Sequence, residues 1–419
     1  MRNTDLNARN FFNITRPPFK LNQFGGTIGG PLRKDKTFLF FSAQDTERRS
    51  APSPISITTP SAAERKGNFS SISGTILNPV TGKPFSGNII PTSLFNPVSV
   101  ALANALLPLP NQGTQYVSSA NQNLDDTQYL VKIDHAFSDK DRLSARYFYD
   151  ENKFQRPFNA PSSFYAESLF RNQTLTLNET HVFSPTMTAT FYASAGRFVR
   201  TQIPVDPGLQ SLQSFGQQVA LGTAVPVFPG IRVNVSGFVN IFSGGALRQD
   251  PTTFEYRAQA VKVWGAHTFN FGAAFERTRI NANDYSYTPG DNIFNGQVTG
   301  SALTDFYLGY ESQFFQDNGR TFYLRENRPS LYVQDDWKVN RQFTLKLGLR
   351  WDPWLPPIDL NNSLTAFVPG VQSTIAPNAP KGLLFPGDRG IPDPYSSITG
   401  KTSPLGSVSR GTLAAIRKP

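Results

Sequence analysis

Histidine gives this chain few places for metal or acid–base chemistry. His135, His181 and His267 are its only three histidines. Each stands two residues before a phenylalanine, beside a turn, in the triplets HAF, HVF and HTF. Imidazole is a common metal ligand, so a three-histidine metal site is conceivable. Repetition of one hairpin unit explains the spacing better, and we predict no metal site.

The carboxylates are numerous, but their spacing does not favour catalysis. Asp125–Asp126 and Asp335–Asp336 are adjacent pairs, and neighbours on a strand point to opposite faces instead of converging on one bond. The sequence has no GxSxG nucleophile motif and no cysteine, and the glycines of residues 25–30 fit neither phosphate-loop spacing. We therefore predict that the protein is not an enzyme and has no cofactor.

The element around which the chain is organised is a hairpin at residues 331–352, with a short polar turn at 340–342. Its first arm places Leu331, Val333, Trp337 and Val339 on one parity and Tyr332, Gln334, Asp336 and Lys338 on the other. Its second arm alternates in the same way, with Leu345, Leu347 and Leu349 against Lys346, Gly348 and Arg350. Each arm thus has an apolar and a polar face, and only Asp335 breaks the pattern.

Three more hairpins share this alternation. They occupy residues 128–152, with a turn at 138–141, residues 172–198, with a turn at 184–186, and residues 254–278, with a turn at 265–266. Residues 36–43 also read as a strand, and the glycine-rich stretch before them reads as extended chain. A soluble sheet would turn the apolar face to a core, whereas a membrane barrel would turn it to lipid.

The lengths of the connections separate these two alternatives. The turns inside the hairpins are short, but the connections between them, residues 151–171, 199–253 and 279–329, are long. Periplasmic turns and long external loops give outer-membrane barrels this asymmetry. We predict an all-β, antiparallel transmembrane β-barrel that is incomplete, with about ten strands of a larger barrel. The aromatic side chains near the turns are candidates for a lipid–water girdle: Phe137, Phe183, Trp264, Phe269, Trp337 and Phe343.

Composition agrees with an all-β chain that has a large apolar interface. Charged residues make up 17% of the 419 residues, below the ~25% of soluble domains, while aromatic residues make up 13%. The net charge of +10 is scattered, which argues against nucleic-acid binding. No apolar run is long enough for a transmembrane helix, and the N-terminus lacks an apolar signal core. Either the protein stays inside the cell or its true N-terminus is missing.

The long connections are poor in predicted structure. Residues 51–126 are rich in Ser, Pro, Asn and Gly. One short helix is predicted at residues 97–107, because Asn96 can act as its N-cap and Pro97 occupies the first helical position. We predict loop for the rest of this connection, and loops of such length are usually functional or disordered.

Several segments, in this order, resemble the β-barrel of Oar-like TonB-dependent transporters, which are often annotated carboxypeptidase-regulatory-like. They are NQFGGTIGGPLRKDKTFLFF, SAAERKGNFS, GNIIPTSLFNPVSVALANALLPLPN, YLVKIDHAFSDKDRLSARY, ALTDFYLG, LYVQDDWKVNRQFTLKLGLRWD and PNAPKGLLFPGDRGIP. The resemblance runs from about Leu6 to Pro392. It implies a 22-stranded Gram-negative outer-membrane barrel with an N-terminal plug, energised through TonB and importing a bulky ligand.

Measured against that family, the chain looks like a fragment that begins at the first barrel strands. It shows no signal peptide, regulatory-like domain, TonB box, plug or second half of the barrel. The Ser/Gly-rich basic tail after Pro392 lacks strand alternation, which predicts a frameshift, a truncated gene model or a disordered tail.

The predicted organisation is then as follows. Residues 1–50 are the first barrel strands, 51–127 a long extracellular loop with a short helix, 128–198 two hairpins, 199–253 a second extracellular loop, 254–352 two hairpins around a long loop, and 353–419 a loop and the atypical tail. The charged residues predicted to face the lumen are Lys132, Asp134, Arg142, Arg146, Asp336, Lys346 and Arg350. For any one of them, hydration and pairing across strands is the simpler role.

The expected partners are outer-membrane lipid, the TonB complex through the missing N-terminal part, and an unknown bulky ligand, with no nucleic acid. The expected location is the cell outer membrane. Two alternatives stay open: a surface adhesin or binding protein without transport, and a soluble β-sandwich with an enzyme site.

Overall fold

The chain forms one large antiparallel sheet, with smaller sheets and two helices in its long connections. A computed structural model describes residues 2–9, 16–51, 55–118, 121–157, 165–204, 211–218, 230–242, 246–317 and 319–393. In those ranges the strands are β1 (Arg2–Asn3), β2 (Phe19–Arg33), β3 (Thr37–Ser50), β4 (Ile55–Thr58), β5 (Gln115–Ser118), β6 (Gln122–Ala136), β7 (Asp141–Pro157), β8 (Tyr165–Ser184), β9 (Met187–Pro204), β10 (Arg232–Val235), β11 (Val239–Phe242), β12 (Leu247–Trp264), β13 (His267–Asp284), β14 (Asp291–Phe294), β15 (Gln313–Phe315), β16 (Arg320–Lys338), β17 (Thr344–Trp351), β18 (Ile358–Asp359), β19 (Ala366–Phe367) and β20 (Leu383–Leu384), and the α-helices are α1 (Pro97–Leu106) and α2 (Ala302–Leu308).

The large sheet follows chain order, β1-β2-β3-β6-β7-β8-β9-β12-β13-β16-β17, and β18 also pairs with β16. Ten of these strands are long, and each is antiparallel to its neighbours. Among the described residues β2 and β17 do not pair with each other, so the sheet is not closed. The predicted all-β, antiparallel, incomplete barrel of about ten strands is confirmed.

The register keeps two faces separate across the whole sheet. One row of directly opposed residues, from β6 to β16, is Ile133, Ala145, Leu177, Ala193, Tyr256, Phe275 and Pro329. A row of the opposite parity is Lys132, Arg146, Thr176, Ser194, Glu255, Glu276 and Arg328. We call the face that carries the first row the apolar face, and the face that carries the second row the polar face.

The strands run further than the alternation predicts at the end with the long connections. β7 continues to Pro157, β9 continues to Pro204, and β16 begins at Arg320. In these extensions the apolar face carries ion pairs instead of apolar side chains, such as Arg49–Asp125 at 2.6 Å. Backbone pairing does not need an apolar face, so the ladder continues where the hydrophobic pattern ends.

The long connections fold together into a packed unit, which we call the loop module: the described parts of residues 55–118, 211–242 and 285–317. It contains α1, α2, the β4–β5 pair and a second sheet in the order β11-β10-β14-β15. Its core takes side chains from all three connections: Phe69, Ile76, Ile90, Phe95, Leu102, Leu107, Leu212, Ile231, Val233, Ile241, Phe294, Leu303, Phe306 and Tyr307. The prediction that residues 51–126 hold only loop around one helix was therefore wrong.

The two helices of the loop module are locked to each other. The Asn96 side chain caps α1 by accepting from the Val98 and Ser99 amides at 2.9 and 3.3 Å, as predicted. The Asn96 amide donates to the Tyr307 carbonyl of α2 at 2.7 Å. Gly309, the left-handed C-cap of α2 at φ +78°, lies against the Asn96 side chain.

In the segment after β17, residues 373–388 are held together by the buried carboxylate of Asp388. Asp388 is 4% exposed and accepts from the Ser373 hydroxyl at 2.6 Å, the Thr374 amide at 2.7 Å and the Phe385 amide at 2.8 Å. Burial raises the pKa of Asp388, but these bonds outweigh it and hold that pKa well below the ordinary value of 3.8. The predicted atypical tail lies outside the described residues.

None of the helices in the described part of the chain is both long and apolar enough to cross a membrane.

Candidate functional site

All seven charged residues predicted from the sequence lie on the polar face. Lys132 is opposite Arg146, Asp336 is opposite Lys346, and Arg350 is opposite Tyr332. Asp134 and Arg142 have the same parity, opposite Ser144 and Ala136. The alternation therefore predicted a shared face, although it did not predict which of these residues meet.

Most of the seven are engaged in ion pairs. Lys132 Nζ lies 2.8 Å from Asp134 Oδ2, and Lys346 Nζ lies 3.2 Å from Asp336 Oδ2. Arg350 donates through Nη2 to Asp352 Oδ1 at 3.1 Å. In the described ranges neither Arg142 nor Arg146 has a carboxylate partner, and the Arg146 guanidinium lies 5.9 Å from the ring centre of Phe148. Ion pairing thus accounts for five of the seven, and only the Asp336–Lys346 pair joins two strands.

The polar face does not unite the seven in one site. A cavity of about 540 Å³ near the tight turns of β2–β3 and β6–β7 is lined by Asp134 and Arg142, together with Lys36. A second cavity, of about 640 Å³, lies over β12, β13, β16 and β17 and includes Arg350.

The second cavity is dominated by charges that the sequence analysis did not single out. Arg328 pairs with Glu276 at 3.3 Å and with Glu326 at 2.8 Å, and Arg257 pairs with Glu255. Their parity matches that of Arg350, which was the available signal. Arg328 and Glu326 were missed because they lie before the predicted hairpin at residues 331–352, where alternation does not predict a strand. Glu255, Arg257 and Glu276 lie inside the predicted hairpin at residues 254–278 but were not singled out there.

The six predicted girdle aromatics all lie at the tight-turn end of the sheet. Each histidine contacts at least one of them. Between ring centres, His135 lies 4.4 Å from Phe137, His181 lies 4.2 Å from Phe183, and His267 lies 5.6 Å from Phe269 and 5.3 Å from Trp337. Trp264, directly opposite His267, is 72% exposed, and Phe343 precedes β17 at 52% exposed. The repeat noted in the sequence is thus a repeated aromatic contact.

Each histidine also bonds to a side chain on the neighbouring strand. His135 Nδ1 lies 2.8 Å from Thr37 Oγ1, and His267 Nδ1 lies 2.6 Å from Asp335 Oδ2. His181 Nδ1 bonds to Asp141. The bond to His267 explains why Asp335 interrupts the apolar parity.

One group of possible metal ligands occurs in the described ranges. Asp141, Glu179 and His181 offer atoms within 4.8 Å of one another. The bond between His181 and Asp141 uses Nδ1 and resembles the one between His267 and Asp335, which has no third ligand. Hydrogen bonding between strands therefore accounts for the approach of His181 to Asp141.

The apolar face has shallow grooves where small side chains lie between aromatic ones. One groove of about 790 Å³ runs over Ala189, Ala258 and Ala260 between Phe191 and Phe271. Another, of about 570 Å³, lies between Tyr256, Phe275 and Leu177.

Comparison with known proteins places these features in a context. Residues 1–408 match a family described as "Outer membrane beta barrel domain". A search of curated proteins finds no match.

Solved structures that are similar to this chain include three receptors or transporters. The outer membrane transporter YddB from Escherichia coli has 10% identity and a TM-score of 0.41, with 80% of this chain and 34% of that chain covered. The siderophore receptor PiuA from Acinetobacter baumannii has 11% identity and a TM-score of 0.33, with coverage of 81% and 43%. The ferric-catecholate import receptor Fiu from E. coli has 9% identity and a TM-score of 0.35, with coverage of 80% and 52%. The chain therefore spans about a third to a half of the length of these structures.

Proposed function

This chain belongs to the family of outer membrane beta barrel domains, and from that membership we propose that it is part of the wall and external loops of an Oar-like TonB-dependent transporter. Its location is the outer membrane. The proposed role is uptake of a bulky ligand, energised by the TonB complex, without catalysis.

The observation that carries this proposal is the difference in the length of the connections at the two ends of the sheet. All five connections at one end are tight, for example Gly265–Ala266 between β12 and β13. At the other end three of the four connections are long, and these three pack into the loop module around a shared core. A transporter needs a short periplasmic rim and a shaped external surface that selects a ligand, and this arrangement supplies both.

The proposal gives the two faces of the sheet an orientation relative to the membrane. The apolar face is turned to lipid, so Val131 and Tyr147 contact acyl chains. The polar face is turned to the lumen, where the seven candidate residues and the Arg328 ion pairs line the path of the ligand. In this arrangement the loop module, including residues 285–317, lies outside the cell, and the ten long strands supply the wall.

The lumen charges favour a polar, bulky cargo over an ion or an apolar molecule. The 640 Å³ cavity over β12–β17 holds both guanidinium and carboxylate groups, including Arg350, Arg328 and Glu276. Such paired charges keep a wall hydrated and give a passing ligand weak contacts, instead of one tight site.

A surface adhesin is the second candidate, and the loop module is what favours it. A module with its own core and a helix lock is a rigid binding surface, and a rigid surface binds partners well without any transport. The wall would then serve only as an anchor.

Orientation is tested first, in intact cells and in the cysteine-free background of this chain. Val80, in the loop module, is 82% exposed. Val80→Cys should react with a membrane-impermeant maleimide, and Asp139→Cys, in a tight turn, should react only after lysis. The reverse pattern would invert the topology and remove the proposal.

Transport is then separated from adhesion with labelled probes: a decapeptide, an oligosaccharide, a ferric siderophore and a small folded protein. Cells with and without the full gene are compared in the cold and at growth temperature. Transport predicts gene-dependent uptake that a protonophore abolishes while surface binding persists. Gene-dependent binding with no internalised fraction would support the adhesin instead.

A further inference from the structure

Three arginines stand on the apolar face where its apolar side chains end. Arg277 and Arg279 lie on β13, and Arg325 lies on β16. Arg279 is directly opposite Arg325, and Arg277 is opposite Asn327. Arg277 and Arg279 are both exposed.

Along the strands, this cluster lies at the level of the bilayer surface. A transmembrane strand needs about 9–11 residues. Counted from His267 at the tight turn, that length of β13 ends between Phe275 and Arg277. The arginines therefore begin at the level of the lipid headgroups, on the side that faces lipid.

The cluster lacks the carboxylates that accompany other arginines at this level. Arg49 pairs with Asp125 at 2.6 Å, and Arg197 approaches Asp250 at 3.5 Å. By contrast, within the described ranges neither Arg277 nor Arg279 has an ion pair or a side-chain hydrogen bond. Like charges directly opposite each other on neighbouring strands repel, so this arrangement is costly without an anion.

Arg325 shows the same imbalance. Its guanidinium donates to the Leu324 carbonyl at 2.8 Å and to Asn281 Oδ1 at 3.1 Å, which are neutral acceptors. Outside the membrane-spanning part of β16, burial and then the charges of Arg279 and Arg277 lower the pKa of Arg325. Asp359 lies nearby, but its carboxylate already accepts from the Tyr323 amide at 2.7 Å.

Directly below the arginines the apolar face offers room for hydrocarbon. The groove of about 570 Å³ is lined by Tyr256, Ala258, Ala273 and Phe275. Phe275 is two residues from Arg277 on the same face of β13. A cluster of positive charges next to an apolar groove fits an amphipathic ligand that lies along the strand, with its charged end at the arginines and its apolar part in the groove.

We propose that Arg277, Arg279 and Arg325 bind the phosphate groups of an outer-leaflet lipid whose acyl chain lies in the groove beneath them. Guanidinium groups match phosphate with paired hydrogen bonds and suit sites of this kind. The adjoining groove is what commits the site to a lipid and not to free phosphate. This inference rests on the proposed orientation of the sheet, with the loop module outside the cell.

The test uses the purified full chain in detergent and diphosphoryl lipid A as the probe. Arg277→Gln/Arg279→Gln should weaken lipid binding about tenfold or more, since it removes two charge-assisted contacts. The matched control, Lys338→Gln/Arg341→Gln, removes two exposed positive charges from the tight-turn end of the sheet and should bind as wild type. Equal loss in both variants would reduce the effect to net charge and overturn the proposal.

A charge reversal separates binding from folding. Arg279→Glu places a carboxylate opposite Arg325, so the sheet should be at least as stable while lipid binding falls. Unchanged lipid binding in Arg279→Glu refutes the site. Equal binding of fully dephosphorylated lipid, or complete displacement by millimolar inorganic phosphate, would refute the lipid-phosphate assignment.

The labelling of Val80→Cys distinguishes this failure from failure of the orientation. External labelling together with lost phosphate selectivity removes only the lipid site. Periplasmic labelling removes both.

Discussion

Replacement of Gly309 by alanine should open the loop module without disturbing the sheet. A Cβ at this position would lie 2.5 Å from Asn96 Nδ2, and the backbone φ is +78°. A left-handed conformation costs an L-residue about 1–2 kcal/mol. Displacing the Asn96 cap adds about 0.5–2 kcal/mol. We expect a total destabilisation of about 1.5–4 kcal/mol, whose midpoint corresponds to roughly a hundredfold increase in local opening.

Hydrogen exchange of the full chain in detergent measures this opening. The Val100 amide, bonded to the Asn96 carbonyl at 3.1 Å, and the Asp305 amide, bonded to the Ser301 carbonyl at 2.9 Å, report on α1 and α2. Both should exchange about a hundred times faster in Gly309→Ala, while amides of the β8–β9 ladder keep their rates. The matched control is Gly113→Ala, where φ is +62° but no atom lies near the added Cβ, so only the backbone cost of about 1–2 kcal/mol applies.

A double-mutant cycle identifies the clash as the cause. Glycine is nearly as good an N-cap as asparagine, so Asn96→Gly alone should cost only a few tenths of a kcal/mol, roughly. In that background Gly309→Ala should lose the steric part and cost about 1–2 kcal/mol. If Gly309→Ala leaves the α1 and α2 amides unchanged, or costs the same with and without the Asn96 side chain, the helix lock is not what holds the module.

Three further predictions concern other parts of the chain. The folded-state pKa of Asp388 is depressed, so the stability that this carboxylate gives to residues 360–393 should be full above the ordinary aspartate pKa and lost as pH falls through the lowered value. Asp388→Asn should remove about 3 kcal/mol of that stability at neutral pH, seen as fast proteolysis of residues 360–393. Equal protection of the two proteins from protease at pH 7 would contradict this. Asp335→Leu should lower the heat-modification midpoint of the folded protein by leaving the His267 ring unpaired, at a cost of about 1–3 kcal/mol, whereas Asp335→Leu/His267→Leu should recover most of it. In the full barrel Val131→Cys should react with a lipid-phase reagent and Lys132→Cys with a water-phase reagent, and an exchange of the two would invert the faces.

The sheet was predictable because its rules are local. Period-two alternation and a polar turn define each hairpin, and Asn96 followed by Pro97 defines the start of α1. The loop module was not predicted from the sequence, because its core joins segments that are distant in the chain. Phe69 and Tyr307 are separated by most of the chain, yet their ring centres lie 5.9 Å apart. No sequence pattern near either residue predicts that contact.

The candidate site was predictable in face but not in assembly. Parity placed Lys132 and Arg350 on one face, which the register confirms. Parity could not predict that Glu276 and Arg328 lie in the same cavity as Arg350, because neighbours across strands depend on turn geometry and register. Asp335 looked like an error in the pattern until the structure supplied its partner on another hairpin, His267.

The composition of the loop module sets an order of events during biogenesis. Its core needs Phe69 and Leu102 from the first long connection, Leu212 and Ile231 from the second, and Phe306 from the third. In the proposed orientation, with the loop module outside the cell, the earlier segments wait with apolar side chains uncovered until the third has crossed the membrane. Such a high contact order slows closure and lengthens the interval in which proteases and misassembly compete. Chaperone dependence should accordingly be set by the outer loops and not by the strands that cross the bilayer.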